Sequence, residues 1–118
     1  MHNFEKLIFW QKSISLTKQI YINCKDVSSE EKFGLISQIK RCAVSIPSNI
    51  AEGSGRNSNK EFNHFLGIAL GSAFELQTQL IIVKELNLLS DTVTNELLLE
   101  LSSIQKMIYT FKKNLIKS

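Results

Sequence analysis

The chain has 118 residues, of which 43% are hydrophobic and 21% are charged, a balance typical of one globular domain rather than of a disordered chain. A single proline and five glycines are too few for the frequent turns of a β-sandwich, which favours long helices. The net charge of +3 permits binding to nucleic acid or to acidic partners without requiring it.

The cysteines and the first residues indicate the compartment. Cys24 and Cys42 lie in apolar helical patterns and form no C-x-x-C pair, so we expect reduced thiols in a core rather than a disulfide or a metal site. The first residues lack a signal-peptide layout, and no apolar run approaches the roughly 20 residues of a membrane span. We therefore predict a soluble cytoplasmic protein that does not associate with a membrane.

Helix one is predicted from polar and apolar positions spaced three and four residues apart. Its predicted core stripe consists of Leu7, Trp10, Ile14, Thr17, Tyr21 and Cys24. A second apolar cluster lies on the opposite side of the helix at about 100° per residue, and it consists of Phe9, Leu16 and Ile20. Helix one is therefore apolar on two sides.

Helix two is predicted to run through Gln38–Arg56 and to be the most informative stretch of the chain. Its apolar stripe is Ile36, Ile39, Ala43, Ile46 and Ile50. A polar stripe lies roughly opposite, and it consists of Gln38, Arg41, Ser45, Ser48, Asn49, Glu52 and Arg56. Both stripes keep their phase across Pro47, so we predict one helix that is kinked at this proline rather than two helices.

Helices three and four show the same alternation. The stripe of helix three is Phe62, Leu66, Ala69, Ala73, Leu76, Leu80 and Val83, and that of helix four is Leu97, Leu101, Ile104, Ile108, Phe111 and Leu115. On helix three, Leu70, Phe74 and Ile81 widen the apolar band to roughly half the circumference, more than one bundle core uses.

Capping signals precede the stripes. Ser28 with Glu31 and Ser58 with Glu61 fit the capping box, and Ser90 is a further predicted cap. The predicted joints are Val27–Ser29, Gly53–Asn57 and Asn87–Ser90. Such short joints force neighbouring helices to run antiparallel. We predict an all-α fold, a single domain over residues 1–118 that forms an antiparallel up-down-up-down four-helix bundle.

The surplus apolar surface predicts association between chains. Short loops cannot cover it, and copies of the same chain are the expected partner. The predicted oligomer interface consists of Phe9, Leu16, Ile20, Leu70, Phe74 and Ile81.

The polar stripe of helix two has competing interpretations. It is built from short hydrogen-bonding side chains and lies in a region rich in small residues, which permit close approach of backbones. A tightly packed polar seam and an ordinary solvated face both remain open. A seam of this kind would lie between subunits, and a solvated face could contact phosphates.

Catalytic and metal-binding patterns are incomplete. Glu61 and His64 have the Glu-x-x-His spacing of di-iron bundles, but that chemistry needs the motif twice and the other histidine is His2. The segment Gly53–Arg56 lacks the strand and the lysine of a phosphate-binding loop, and its glycines predict a helix stop. We predict no enzyme activity, no cofactor and no metal site.

Basic side chains offer a binding surface instead. The predicted nucleic-acid contacts are Lys40, Arg41, Arg56, Lys60, Lys112 and Lys113, with Lys106 and Lys117 adding charge near the end of helix four. Lysines at a helix C-terminus also suit the helix dipole. In a ring of identical subunits each patch is multiplied, which would suit phosphate backbones without sequence reading.

Several motifs together resemble a known family. They are Trp10–Ser13, Gly34–Leu35 with Gln38–Arg41, Val44–Gly53 (Val-Ser-Ile-Pro-Ser-Asn-Ile-Ala-Glu-Gly), Gly55–Arg56, and Gly71–Ser72 with Glu75–Leu76. The chain resembles the small four-helix bundle proteins encoded by intervening sequences of bacterial 23S ribosomal RNA genes. The motifs cover helices one to three, whereas helix four matches only by pattern.

The resemblance implies a homopentameric ring. It also implies kinship with the accessory variability protein of diversity-generating retroelements, which binds nucleic acid and a reverse transcriptase. The chain departs from the family pattern at Lys40, where a second arginine is usual, at Cys42, and in the first joint, which lacks Phe-Pro. Lys40 keeps the charge but loses bidentate geometry, which weakens a phosphate contact there.

The sequence therefore predicts a non-enzymatic, homo-oligomeric accessory protein that binds RNA or DNA through basic patches of the assembled ring. The alternative is a protein-protein scaffold or adaptor with no nucleic-acid role. A reverse transcriptase or another protein is a further candidate partner under the resemblance.

Overall fold

The fold consists of four α-helices in a computed structural model that describes residues 2–27 and 34–117. After a short 3-10 helix at Phe4–Lys6, the helices are α1 (Ile8–Asn23), α2 (Leu35–Ser54), α3 (Asn59–Glu85) and α4 (Asp91–Leu115). The described residues contain no strand. The prediction of an all-α chain with four helices is confirmed, and the molecule measures 46 × 22 × 20 Å.

The helices form a cycle in which each packs against two neighbours, in the order α1, α2, α3, α4 and back to α1. Contacts between helix ends show that neighbours run in opposite directions. Lys112 Nζ near the end of α4 donates to Asn63 near the start of α3, while Lys84 Nζ at the end of α3 donates to Asn95 near the start of α4. The chain therefore has the arrangement of an antiparallel bundle.

The core is built from the predicted stripes of α2, α3 and α4. All but one of their apolar positions are buried, and the exception, Phe111, is partly buried against the core. Burying each large aliphatic or aromatic side chain contributes roughly 1.5–3 kcal/mol. The buried stripes of these three helices are therefore a main source of the stability of the bundle.

The predicted core stripe of α1 is wrong at Ile14 and Tyr21, whereas Cys24 is buried as predicted and Leu7 and Trp10 are partly buried against the core. Ile14 and Tyr21 are 44% and 43% exposed, whereas Leu16 and Ile20 are 1% and 0% exposed. Phe9 is also buried, so the three α1 residues predicted for an oligomer interface belong to the core of their own chain.

The reason for the error is a polar residue on the buried side. Ser13 lies on the core face between Phe9 and Leu16 and is buried. Its hydroxyl donates to the Trp10 carbonyl at 2.7 Å, so burial leaves it satisfied and costs little. Both sides of α1 carry apolar residues, and Ser13 interrupts the apolar pattern of the buried side. The exposed side was therefore predicted to be the core stripe.

Two predicted caps are confirmed. Ser58 Oγ accepts from the Glu61 backbone N–H at 3.1 Å, and Ser90 Oγ accepts from the Val93 N–H at 3.2 Å. Each serine satisfies a backbone donor that a first helical turn leaves free. The predicted capping box of Ser28 and Glu31 lies outside the described residues.

The turn between α3 and α4 depends on Asn87. Its φ of 56° places it in the left-handed region, which asparagine tolerates better than most residues. The next amide, that of Leu88, donates to the Val83 carbonyl at 3.1 Å. This closure ends α3 and turns the chain back toward α4.

The predicted helix stop within Gly53–Arg56 is confirmed, because α2 ends at Ser54 with Gly55 as its C-cap, while Gly53 lies inside the last turn of the helix. A Cβ at Gly53 would lie 2.6 Å from Phe65 Cβ and 3.0 Å from Phe62 Cδ1. The glycine therefore allows α2 and α3 to approach more closely than any side chain would permit. The same helix is continuous through the buried Pro47.

The longest helix, α3, is long and apolar enough to cross a membrane by length and composition alone. Its buried residues, however, form part of the bundle core. Core helices of folded domains pass the same test, so this composition is accounted for by the packing of α3 between α2 and α4.

Candidate nucleic-acid interface

One end of the bundle gathers four of the six predicted nucleic-acid contacts. At this end α1 and α3 begin and α2 and α4 end, which the hydrogen bond from the His2 N–H to the Ser54 carbonyl confirms at 3.1 Å. The His2 ring also lies 4.9 Å from the Phe62 ring and 6.0 Å from the Phe111 ring. We call this part of the surface the basic end, and its predicted contacts are Arg56, Lys60, Lys112 and Lys113.

Arg56 is held in place by two contacts. Its guanidinium donates to Glu52 Oε1 at 3.0 Å and lies 4.7 Å from the centre of the Phe65 ring. The ion pair is exposed to solvent, so its net contribution to stability is small, about 0–1 kcal/mol. The two contacts nevertheless orient the guanidinium at the α2–α3 joint.

The three lysines of the basic end differ in availability. Lys60 and Lys113 are exposed. Lys112 Nζ donates to both the backbone carbonyl and Oδ1 of Asn63 at 2.9 Å, and burial lowers the pKa of Lys112. Two of its three donors are therefore engaged within the chain, which leaves Lys60 and Lys113 as the more accessible of the three lysines.

Lys40 and Arg41 lie elsewhere. They occupy the first half of α2, whereas Arg56 comes two residues after the end of this helix at Ser54. Lys40 and Arg41 are therefore separated from Arg56 by roughly 20 Å along the helix axis. Lys40 Nζ lies 5.0 Å from the centre of the Tyr21 ring, and Arg41 Nη2 donates to Ser37 Oγ at 3.3 Å. The structure thus divides the predicted contacts into two groups.

The prediction missed one basic residue at this end. Lys6 precedes α1 and lines a groove between α1 and α4. Lys106 lines the α4 side of the same groove. Of the carboxylates nearby, Glu52 pairs with Arg56, and Glu61 accepts from the Ser58 hydroxyl at 3.3 Å. Among the described residues of the basic end, which also include the exposed Glu5, basic side chains therefore outnumber acidic ones. The antiparallel packing of α1 and α4 brings Lys6 and Lys106 to the same groove.

The polar stripe of α2 is partly a seam within one chain. Ser45 Oγ donates to Ser72 Oγ of α3 at 2.6 Å, and Cys42 Sγ donates to the Ser72 carbonyl at 3.1 Å. Asn49 Nδ2 donates to the Ser45 carbonyl at 2.8 Å. The remaining members of the stripe are exposed, namely Gln38, Arg41, Ser48, Glu52 and Arg56.

A groove of about 350 Å³ follows this seam, lined by Gln38, Arg41, Cys42, Ser45, Ser72 and Glu75. Burial and, to a smaller extent, the nearby Glu75 carboxylate together raise the pKa of the Cys42 thiol to about 11. Burial likewise raises the pKa of Cys24. Both cysteines are free and buried, as predicted, and neutral thiols of this kind are poor nucleophiles and poor metal ligands.

The Glu-x-x-His spacing does not assemble a site. His64 is exposed and its ring packs against that of Phe65 at 5.7 Å, while Glu61 belongs to the cap of α3. Within residues 2–27 and 34–117, no three His, Cys, Asp or Glu side chains are grouped as metal ligands would be.

The predicted interface residues of α3 remain on the surface. Phe74 and Ile81 are 53% and 43% exposed, while Leu70 is partly buried against the core. Seven residues separate Phe74 from Ile81, which places them on one face of α3. We call Leu70, Phe74 and Ile81 the α3 apolar face.

Comparison with known proteins identifies the family. No match was found among curated proteins. A crystal structure of a protein of unknown function from the S23 ribosomal protein family of Bacteroides thetaiotaomicron VPI-5482 is similar with a TM-score of 0.83, at 25% identity over 90% of this chain and 96% of that one. The family model for the 23S rRNA-intervening sequence protein matches residues 5–110. Because this match covers most of the four-helix bundle, the chain belongs to the 23S rRNA-intervening sequence protein family.

Proposed function

We propose that this protein is a non-enzymatic, homo-oligomeric accessory protein that binds RNA or DNA through the basic end. The observation that carries the proposal is the gathering of Arg56, Lys60 and Lys113 from three different helix ends. Phosphate contacts by such side chains give affinity without sequence reading. Lys40 and Arg41 would add a second, separate contact along α2.

The proposed assembly is a ring of identical subunits, a homopentamer. The exposed Phe74 and Ile81 support it, because large apolar side chains grouped on one helix face favour association. A ring would repeat the basic end in every subunit and so multiply its charge. The kink at Pro47 stays a prediction, for which the position of this proline inside α2 is the support.

The first test measures nucleic-acid binding by fluorescence anisotropy with a labelled single-stranded RNA and a labelled DNA duplex. Replacing Lys60 and Lys113 together by alanine should weaken binding several-fold. It should also make the slope of log affinity against log salt concentration shallower by about 2, because two phosphate contacts are lost.

The matched control is the double variant Lys18→Ala/Lys25→Ala. Both lysines are exposed and lie on or just after α1, toward the opposite end, so the change in net charge is the same. Equal losses in the two variants would show that net charge alone attracts nucleic acid. Undetectable binding by the wild-type protein, or binding that does not change with salt, would refute the proposal.

The second test is the mass in solution by light scattering. The wild-type protein should have a mass several times the 13.4 kDa of one chain. The variant Phe74→Glu/Ile81→Glu should dissociate, because two charges would be buried without partners in the interface. The control Leu86→Glu/Leu99→Glu changes two residues that are 57% and 73% exposed outside the α3 apolar face.

The control should keep the wild-type mass. A wild-type mass of 13.4 kDa would contradict the oligomer, and dissociation of the control alone would place the interface elsewhere. The alternative function, a scaffold or adaptor for other proteins, predicts an intact oligomer that does not bind RNA or DNA. A reverse transcriptase is one candidate partner for either function, and a cytoplasmic location is part of the same proposal.

A further inference from the structure

An apolar groove opens between α1 and α4 at the basic end. Its volume is about 570 Å³, and it is open to solvent along one side. Its apolar lining consists of Leu7, Ile8, Phe9, Met107 and Phe111. Ile8 is 57% exposed, so this surface keeps a large aliphatic side chain in water when nothing covers it.

The groove ends where α1 and α4 are joined by an ion pair. Lys12 Nζ lies 3.3 Å from Glu100 Oε1, one turn of α1 beyond Ile8. On α4, the lining runs from Lys106 to Asn114, which is about 12 Å at 1.5 Å per residue. The groove is therefore long enough for about two turns of a helix.

The polar rim of the groove is basic. Lys6 borders it from the α1 side and Lys106 from the α4 side, with Thr110 and Asn114 as neutral neighbours. None of the described residues that line this groove carries a carboxylate. On the same seam beyond the ion pair, by contrast, a second groove of about 280 Å³ is lined by Glu96 and Glu100. The charge of the rim is thus specific to the basic end and complements an anionic partner.

The aromatic rings in the groove are already engaged with each other. The centroids of the Phe9 and Phe111 rings lie 5.2 Å apart in an edge-to-face arrangement, and the Phe111 ring makes the same kind of contact with Phe62 at 5.6 Å. Stacking of bases needs free ring faces, so this lining suits aliphatic anchors better than nucleobases. The flexible side chain of Met107 can adapt to anchors of different shape.

We propose that this groove binds an amphipathic helix of another protein, with aliphatic anchors about two turns long and carboxylates on both sides of them. Helices of this kind present anchors at positions i, i+3 or i+4, and i+7 to an apolar groove. The open side favours a helix over a small molecule, because small-molecule sites bury most of their ligand. Lys6 and Lys106 would pair with the flanking carboxylates and fix the orientation of the helix.

The test selects a displayed library of helical peptides with randomised surface positions against the full chain. Enriched peptides should carry the apolar spacing with Asp or Glu beside it. Ile8→Asp should weaken their binding at least about tenfold, because an unpaired charge would be buried against the anchors. This substitution should leave the fold intact, since Ile8 is exposed and acidic residues are favourable in a first helical turn.

A charge reversal tests the rim separately. The variant Lys6→Glu/Lys106→Glu should bind the acidic peptides at least about tenfold more weakly and should prefer copies in which the carboxylates are replaced by lysines. The control Leu99→Asp, on α4 outside the groove, should bind like the wild type. The absence of enriched peptides, enrichment of basic peptides, or binding that Ile8→Asp leaves unchanged would overturn the proposal.

Two further measurements separate this site from other surfaces. The variant Lys60→Ala/Lys113→Ala should keep its affinity for the peptides even where it loses nucleic acid, so the two proposals can fail independently. Vesicles of phosphatidylglycerol provide the second measurement. Binding to these vesicles that Ile8→Asp abolishes, without any selected peptide, would assign the groove to a lipid surface and overturn the proposal.

Discussion

Replacing Ile20 with alanine is expected to lower the free energy of unfolding by about 2–5 kcal/mol, since the substitution leaves a cavity in a packed core. Ile20 is 0% exposed on α1 and belongs to the buried cluster. Folded domains are stable by only about 5–15 kcal/mol, so the variant should unfold at a markedly lower urea concentration. Chemical denaturation followed by circular dichroism measures the effect.

The matched control is Ile14→Ala, which makes the same chemical change on the same helix. Ile14 is 44% exposed, so its truncation should cost less than about 1 kcal/mol. Both variants should be compared at the same chain concentration and association state. If Ile14→Ala lowered the free energy of unfolding more than Ile20→Ala, the core face predicted for α1 from the periodicity of the sequence would be correct after all.

Replacing Gly53 with alanine is expected to destabilise the protein by about 2 kcal/mol, the difference between the cost of overpacking and the gain in helix propensity. Alanine favours a helix by about 1 kcal/mol over glycine, but overpacking costs about 1–3 kcal/mol. The larger figure applies here because the added methyl would meet Phe65 Cβ at 2.6 Å. A Cβ atom moves only with its backbone, so α2 and α3 would have to separate.

The substitution Gly71→Ala is expected to have the opposite effect on the free energy of unfolding. Gly71 lies inside α3, and a Cβ there would meet nothing within 4 Å. Only the helix propensity changes, so the variant should be more stable by about 0.5–1 kcal/mol. Thermal unfolding of the two variants should move the midpoint in opposite directions. Stabilisation by Gly53→Ala would show that α2 and α3 are not in close contact.

Periodicity predicted the core where a helix has one apolar side. Ile39 on α2 was assigned correctly because polar residues occupy the other side of that helix. The two apolar sides of α1 gave no such contrast, and the choice between them depends on the tertiary position of Ser13. Sequence spacing within one helix cannot supply that position.

The candidate site was predictable only in part. Arg56 and Lys60 are neighbours in sequence, so their proximity followed from the second joint. Their grouping with Lys113 depends on the antiparallel direction of α4, which the short joints did predict. Lys6 was missed because it precedes the first helix, and its position beside Lys106 requires the packing of α1 against α4.

The close approach at Gly53 also bears on how the bundle opens. The α2–α3 pair combines this backbone contact with the hydrogen bond between Ser45 and Ser72, whereas the α1–α4 seam has a groove on each side of the Lys12–Glu100 ion pair. Local unfolding proceeds first where fewer buried contacts must be broken. We therefore expect detachment of α1 to need less free energy than separation of α2 from α3, and amide hydrogens of the α2–α3 pair to exchange with solvent last.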